Sequence, residues 1–326
     1  MANCSLDLNM NKYHLYYKRK LNPDDDWGIE CDIFISAYNP SDRVKTIHEK
    51  INSKNKFWFL LPEYKFNEVD FNWLPNIHLG IDEDETEFDY IIRFFKSIDP
   101  ELLKGSIVID ITGFIGHYVL ALVIALKHMN ITDCDIIYGE PLRYSKSERT
   151  KFSDEAVLEV KQAIGFEGIH STESTNDLLI LGVGYDFRLI SEVASQKEHS
   201  HKLLLFGLPS LRPDMFQESL LQASKVSEAV GPEASEPQHF HFAPAFDPFM
   251  TASKLSDMVT THRLRTGPSN IYLAPLATKA QALGFALFYL SECIGTPTSI
   301  IFPYCAMYMK ETSEGLAGAW IYHLEL

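Results

Sequence analysis

The chain carries one α/β pattern twice, and this duplication limits the folds open to it more than any single motif does. Asp32-Ile33-Phe34-Ile35 opens a strand–turn–helix–strand passage that closes on Lys56-Phe57-Trp58-Phe59-Leu60-Leu61-Pro62. Asp177-Leu178-Leu179-Ile180 opens a second passage that closes on Lys202-Leu203-Leu204-Leu205-Phe206-Gly207-Leu208-Pro209. The openings lie 145 residues apart (177 − 32), and so do Arg43 and Arg188 (188 − 43). Further on, Ile107-Val108-Ile109-Asp110 and its apolar helix recur as Ile271-Tyr272-Leu273-Ala274 and another helix, at an offset of 164 (271 − 107). The same 164 relates Tyr144 to Tyr308 and Lys146 to Lys310.

Within each copy, short runs that are apolar on both faces alternate with helical spacing, as in Val44, Ile47, His48 and Ile51. Such runs belong to parallel strands covered on both sides, and right-handed crossovers between them build layered units. The predicted fold is therefore α/β: two tandem Rossmann-like units with parallel central sheets, forming a pseudo-dimer. The predicted boundaries are a polar lead over 1–27, a first unit over 28–145, a connector over 146–171 and a second unit over 172–326. The aromatic segment from Ala317 to Leu326 reads as the last strand of the second unit. Its Trp320-Ile321-Tyr322 is either an exposed edge that pairs with a partner or a buried closing strand.

The 326 residues suffice for two domains. The net charge of −15 repels a phosphate backbone, so duplex nucleic acid is not an expected partner. Five cysteines are scattered with no CxxC pair, which suits a reducing compartment. No apolar signal core opens the chain, and the apolar run from Tyr118 to Leu126 is too short to span a bilayer. The expected setting is cytoplasmic, with no membrane contact.

Ligands of parallel α/β sheets sit beyond the carboxyl ends of the strands, where helix N-termini face them. That rule selects Arg43, Thr112, Gly113 and Tyr144 in the first unit, and Arg188, Thr278, Lys279 and Tyr308 in the second. Each has a structural alternative. Gly113 and Gly184 also suit tight strand-to-helix turns, and Ser41, Asp42 and Asp186 suit helix caps. Arg43 and Arg188 occupy first helical turns, where a cation opposes the helix dipole, so they suit an anion or a salt bridge between units. Lys279 follows a strand at a helix N-terminus, a place for a phosphate or carboxylate. The two tyrosines suit base stacking or packing of the seam. His239-Phe240-His241 with His262 resembles a metal set, but HxH alternation also describes a strand, and no metal is expected. No Walker A loop, GxSxG elbow or HExxH is present, and no catalytic pair is assigned.

Two resemblances follow from these residues. Ile107-Val108-Ile109-Asp110-Ile111-Thr112-Gly113, with its apolar helix and then Ile136-Ile137-Tyr138-Gly139-Glu140, resembles the core of CARF domains, Rossmann-like sensors of cyclic oligonucleotides in prokaryotic defence. Phe114-Ile115 stand where that family has Gly and Thr-Lys. Ala277-Thr278-Lys279 in the second unit is similar to the missing part. SAVED domains are two such units fused in one chain, the organisation the duplication gives. Separately, Cys31-Asp32-Ile33-Phe34-Ile35-Ser36 is similar to the opening strand of TIR domains, which implies a catalytic glutamate in a later helix. Glu87 and Glu101 are the candidates there, but they lack the expected setting.

The CARF/SAVED resemblance implies a nucleotide-sensing subunit of an antiviral defence system. It would hold a cyclic oligonucleotide or another small anionic nucleotide between the units, need no cofactor, and signal to a partner effector protein. The TIR resemblance implies instead hydrolysis of NAD or a nucleotide. A degenerate scaffold without ligand is the third expectation.

Overall fold

The computed structural model describes residues 13, 17–71, 74, 76–78, 85–144, 157–172, 174–231, 236, 239–310 and 313–326. Its first half runs β1 (Lys18–Leu21), β2 (Glu30–Ala37), α1 (Asp42–Lys50), β3 (Asn52–Phe59), α2 (Glu68–Phe71), β4 (Ile77–His78), α3 (Glu87–Ser97), β5 (Ile107–Asp110), α4 (Gly116–His128), β6 (Asp133–Tyr144) and β7 (Val157–Gln162). The second half runs β8 (Leu178–Val183), α5 (Phe187–Gln196), β9 (His201–Gly207), α6 (Met215–Lys225), α7 (Ser227–Val230), β10 (Phe240–Ala243), α8 (Pro248–Thr266), β11 (Ile271–Pro275), α9 (Lys279–Glu292), β12 (Thr298–Cys305) and β13 (Ser313–Glu325).

These strands form two mostly parallel sheets, as the alternation of apolar runs and helices predicts. One has seven strands in the order β1-β13-β6-β5-β2-β3-β4, and the other six in the order β10-β9-β8-β11-β12-β7. Counted by unit, both place the third, second, first, fourth and fifth strands side by side. The duplication extends to the register. Ile33 pairs with Ile107 where β2 meets β5, and Leu178 pairs with Ile271 where β8 meets β11. Those pairs differ by the same 145 and 164 residues as the sequence repeats.

The sixth strand of each sheet is exchanged. After β6 the chain leaves the first sheet, and β7 adds antiparallel to β12 of the second. After β12 it returns, and β13 adds antiparallel to β6 of the first. This corrects the assignment of Ala317–Leu326 to the second unit. It also settles the character of Trp320-Ile321-Tyr322: β13 is flanked by β6 and β1, so it is an interior strand and not a pairing edge. The short N-terminal strand β1 pairs antiparallel with this returning strand.

Local chemistry sets the helix starts. Thr86 and Asp89 form a reciprocal capping box on α3. Asp247 caps α8 ahead of Pro248, and Thr278 caps α9 by accepting from Gln281 N. α4 and α9 are the equivalent helices of the two units. Both are apolar nearly all round and buried along most of their length, as helices enclosed on every side must be. They pack on one another, and a continuous core runs through both halves from Ile33 to Tyr322. No helix among the described residues is long and apolar enough to cross a membrane.

Candidate functional site

In each sheet the strand order reverses between the unit's first and fourth strands, so a crevice opens at their carboxyl ends. The two crevices face each other. Between them lies a cavity of about 160 Å³, bounded by Asn39, Arg43 and Thr112 of the first unit and by Gly184, Thr278 and Lys279 of the second.

Both crevices depend on glycine. A Cβ on Gly113 would stand 1.9 Å from the Ala37 carbonyl oxygen, and one on Gly184 would stand 2.0 Å from that of Leu276. The tight-turn reading of these two glycines therefore holds: backbone meets backbone there. Gly113→Ala is expected to cost about 2 kcal/mol, the usual scale of overpacking a rigid site. Urea unfolding measures it, and a loss below about 0.5 kcal/mol would mean that the two loops part without strain.

Asp110 ends β5 fully buried. Its carboxylate accepts from Ser36 Oγ at 3.0 Å and from Thr112 N at 2.9 Å. Burial pushes its pKa up, and the Thr112 and Ser36 hydrogen bonds and the nearby Lys279 charge pull it back. The Thr112 hydroxyl is occupied by Gly139 N at 2.8 Å, but its carbonyl accepts from Lys279 Nζ, which arrives from the other unit. The two parts of the split motif thus meet in space. Lys279 is surrounded by protein, and its partial exposure is to the cavity. Burial first and then the Arg43 charge lower its pKa, Asp110 partly opposes them, and the net result is about 7.

Arg43 is buried on α1. One guanidinium nitrogen donates to the Gly139 carbonyl at 2.7 Å, while its buried Nε has no partner. Arg188, its counterpart in the repeat, does something else. It lies against Asp186, the cap of its own helix, at 3.0 Å, and it does not line the cavity. The symmetry of the two arginines is thus broken in use. Thr278 spends its hydroxyl on the Ala245 carbonyl and on the α9 cap. Tyr308 borders the cavity, and its buried ring lies 6.1 Å from His117. The backbone of Tyr144 pairs with Ser313, and its side chain lies outside the described residues.

Further polar residues line the cavity beyond those selected from the sequence, among them Asn39, Gln281 and Ser313. Asn39 donates to the Lys310 carbonyl and accepts from Ser41 N. Gln281 and Ser313 are buried with Oε1 and Oγ unpartnered. Asn39 follows a strand end and was within reach of the ligand rule. Ser313 begins the exchanged strand, and nothing local announces where that strand goes.

The acids considered for hydrolysis sit elsewhere. Glu87 accepts from Tyr304 OH at 2.7 Å, and Glu101 is exposed beside Lys104. Among the described residues no group of three or more His, Cys, Asp or Glu is arranged to hold a metal ion. Comparison with known proteins finds no matching family model, and no significantly similar curated protein or solved structure.

Two cations, Arg43 and Lys279, therefore converge on the cavity, with one buried carboxylate, Asp110, near Lys279. The third charged lining residue, Asp186, is engaged with Arg188. Buried charge is normally compensated; among the described residues the surplus is positive, and the arrangement suits an anion.

Proposed function

We propose that the chain is a sensor subunit that binds a small anionic nucleotide between its two Rossmann-like units and passes the bound state to a partner protein, in the manner of CARF/SAVED proteins of prokaryotic defence. The observation that supports this reading most directly is the reach of Lys279 from the second unit to the Thr112 carbonyl of the first, beside the unpartnered Nε of Arg43. A phosphate there would take charge-assisted hydrogen bonds from both cations.

The size of the cavity defines the consequence. At about 160 Å³ it holds a phosphate and little more, below the few hundred Å³ of a typical ligand pocket. A whole nucleotide must spread the walls, and the walls belong to different units. Binding would then break the Lys279 tie and shift one unit against the other, with the exchanged strands β7 and β13 carrying the shift.

Isothermal titration with a panel of cyclic di-, tri- and tetranucleotides, mononucleotides and NAD tests the reading. At least one phosphodiester is expected to bind at micromolar affinity or better, with NAD left unhydrolysed. Absence of heat across the panel would favour the ligand-free scaffold. NAD cleavage that disappears in Glu87→Gln would favour the TIR-like enzyme.

A further inference from the structure

At the opposite end of the second sheet, where its strands begin, lies a groove of about 1050 Å³. Five histidines line it. His199 and His201 stand at the start of β9, His239 and His241 at the start of β10, and His262 on α8. The HxH pattern therefore leads into a strand that holds His241, and its partners are histidines from two other elements. The rings of His201 and His262 stack at 5.8 Å. Lys202, Lys254 and Arg265 add three basic side chains, and Asp177, Glu198 and Asp257 add three acids. Glu236 approaches His239 at 3.8 Å.

With neutral histidines the lining charges of the described residues cancel, three against three. With all five protonated the groove gains five positive charges, on a chain whose net charge is −15. That swing falls within the pH range where histidine titrates. We propose that this groove is a second, proton-gated anion site that takes an oligophosphate when its histidines are protonated and releases it when they are neutral. Its dimensions admit several phosphate groups, whereas the central cavity admits one. Burial, with Lys254, His239 and His201 nearby, holds His241 below the ordinary histidine pKa, so the last charge enters only at lower pH or when an anion is bound.

Titration of the full chain with tripolyphosphate at pH 5.5 and pH 8.0 tests this. Binding is expected to be at least tenfold tighter at pH 5.5. Tripolyphosphate itself becomes more negative as pH rises, so its own charge opposes the expected trend. A double substitution of two residues that are not buried, His199→Gln with His239→Gln, should reduce the tightening, and should do so equally in a Lys279→Ala background, where the central cavity no longer contributes to the pH dependence. Equal affinity at both pH values overturns the proposal. So does tightening that survives the double substitution, or that vanishes with Lys279→Ala, which would assign it to the central cavity. Histidine proton resonances of the unsubstituted chain give a readout independent of any variant. Tripolyphosphate should raise the titration midpoints of the groove histidines, and unmoved midpoints would also overturn the assignment.

Discussion

Removal of residues 313–326 is expected to unfold the first unit, although the segment follows the whole of the second. Tyr322 and Leu324 of β13 are completely buried and Ile321 nearly so. At about 1.5–3 kcal/mol each, these three side chains alone account for roughly 5–9 kcal/mol, comparable with the whole stability of an ordinary domain. The loss spreads further. Among the described strands β1 pairs with β13 alone, so it would have no sheet to join, and β6 would become an open edge. The Tyr322 hydroxyl donates to the Phe246 carbonyl, and Trp320 stacks on Phe246 at 4.5 Å, so the second unit also loses a contact surface. Circular dichroism and limited proteolysis of the shortened chain provide the check. A cooperative melt within about 5 °C of the full chain would mean that the exchanged strand contributes little.

The same strand shows what the sequence could and could not disclose. The repeats were legible because Ile33 and Leu178, like Ile107 and Ile271, occupy equivalent positions in buried parallel strands, where the need for apolar residues on both faces leaves a strong pattern. Strand exchange left none. Period-two alternation reports that a segment is a strand and which face is buried, but not which sheet receives it. Ala317 to Leu326 was therefore assigned to the unit that precedes it in the chain, and β10, four residues long, was legible only as one of two readings of the HxH alternation. At the site, strand ends led to Lys279, Thr112 and Arg43 because the ligand rule depends on topology alone. The separate fates of Arg43 and Arg188 were not legible. Both follow a helix-capping acid or serine, and only the packed structure shows that Asp186 occupies Arg188 while Arg43 turns inward.

Binding of a phosphodiester to the central cavity is expected to weaken as pH rises above neutrality, and Lys279 should be the cause. Its pKa near 7 arises first from burial and then from Arg43, and both oppose its charge. An anion binds the protonated form, so the apparent affinity scales with the protonated fraction. That fraction is about three quarters at pH 6.5 and about 3% at pH 8.5, which predicts roughly twentyfold weaker binding at the higher pH. A phosphodiester keeps its charge over this interval and adds no titration of its own. Lys279→Ala should weaken binding at pH 6.5 by roughly 1.5–3 kcal/mol, the scale of a hydrogen bond to a charged group, and should flatten the profile. Lys279→Arg should retain the charge and also flatten the profile, because a guanidinium stays protonated throughout. The stability of the ligand-free chain should move the other way. Its folded-state pKa lies below the value of 10.5 for an exposed lysine, so between about pH 7 and 10.5 the unfolded chain holds the extra proton. The contribution of this residue to stability therefore rises with pH across that window while ligand affinity falls. Titrations at four pH values with each variant, paired with urea melts, measure both slopes. An affinity in the unsubstituted chain that does not change between pH 6.5 and 8.5 would remove Lys279 from the binding site.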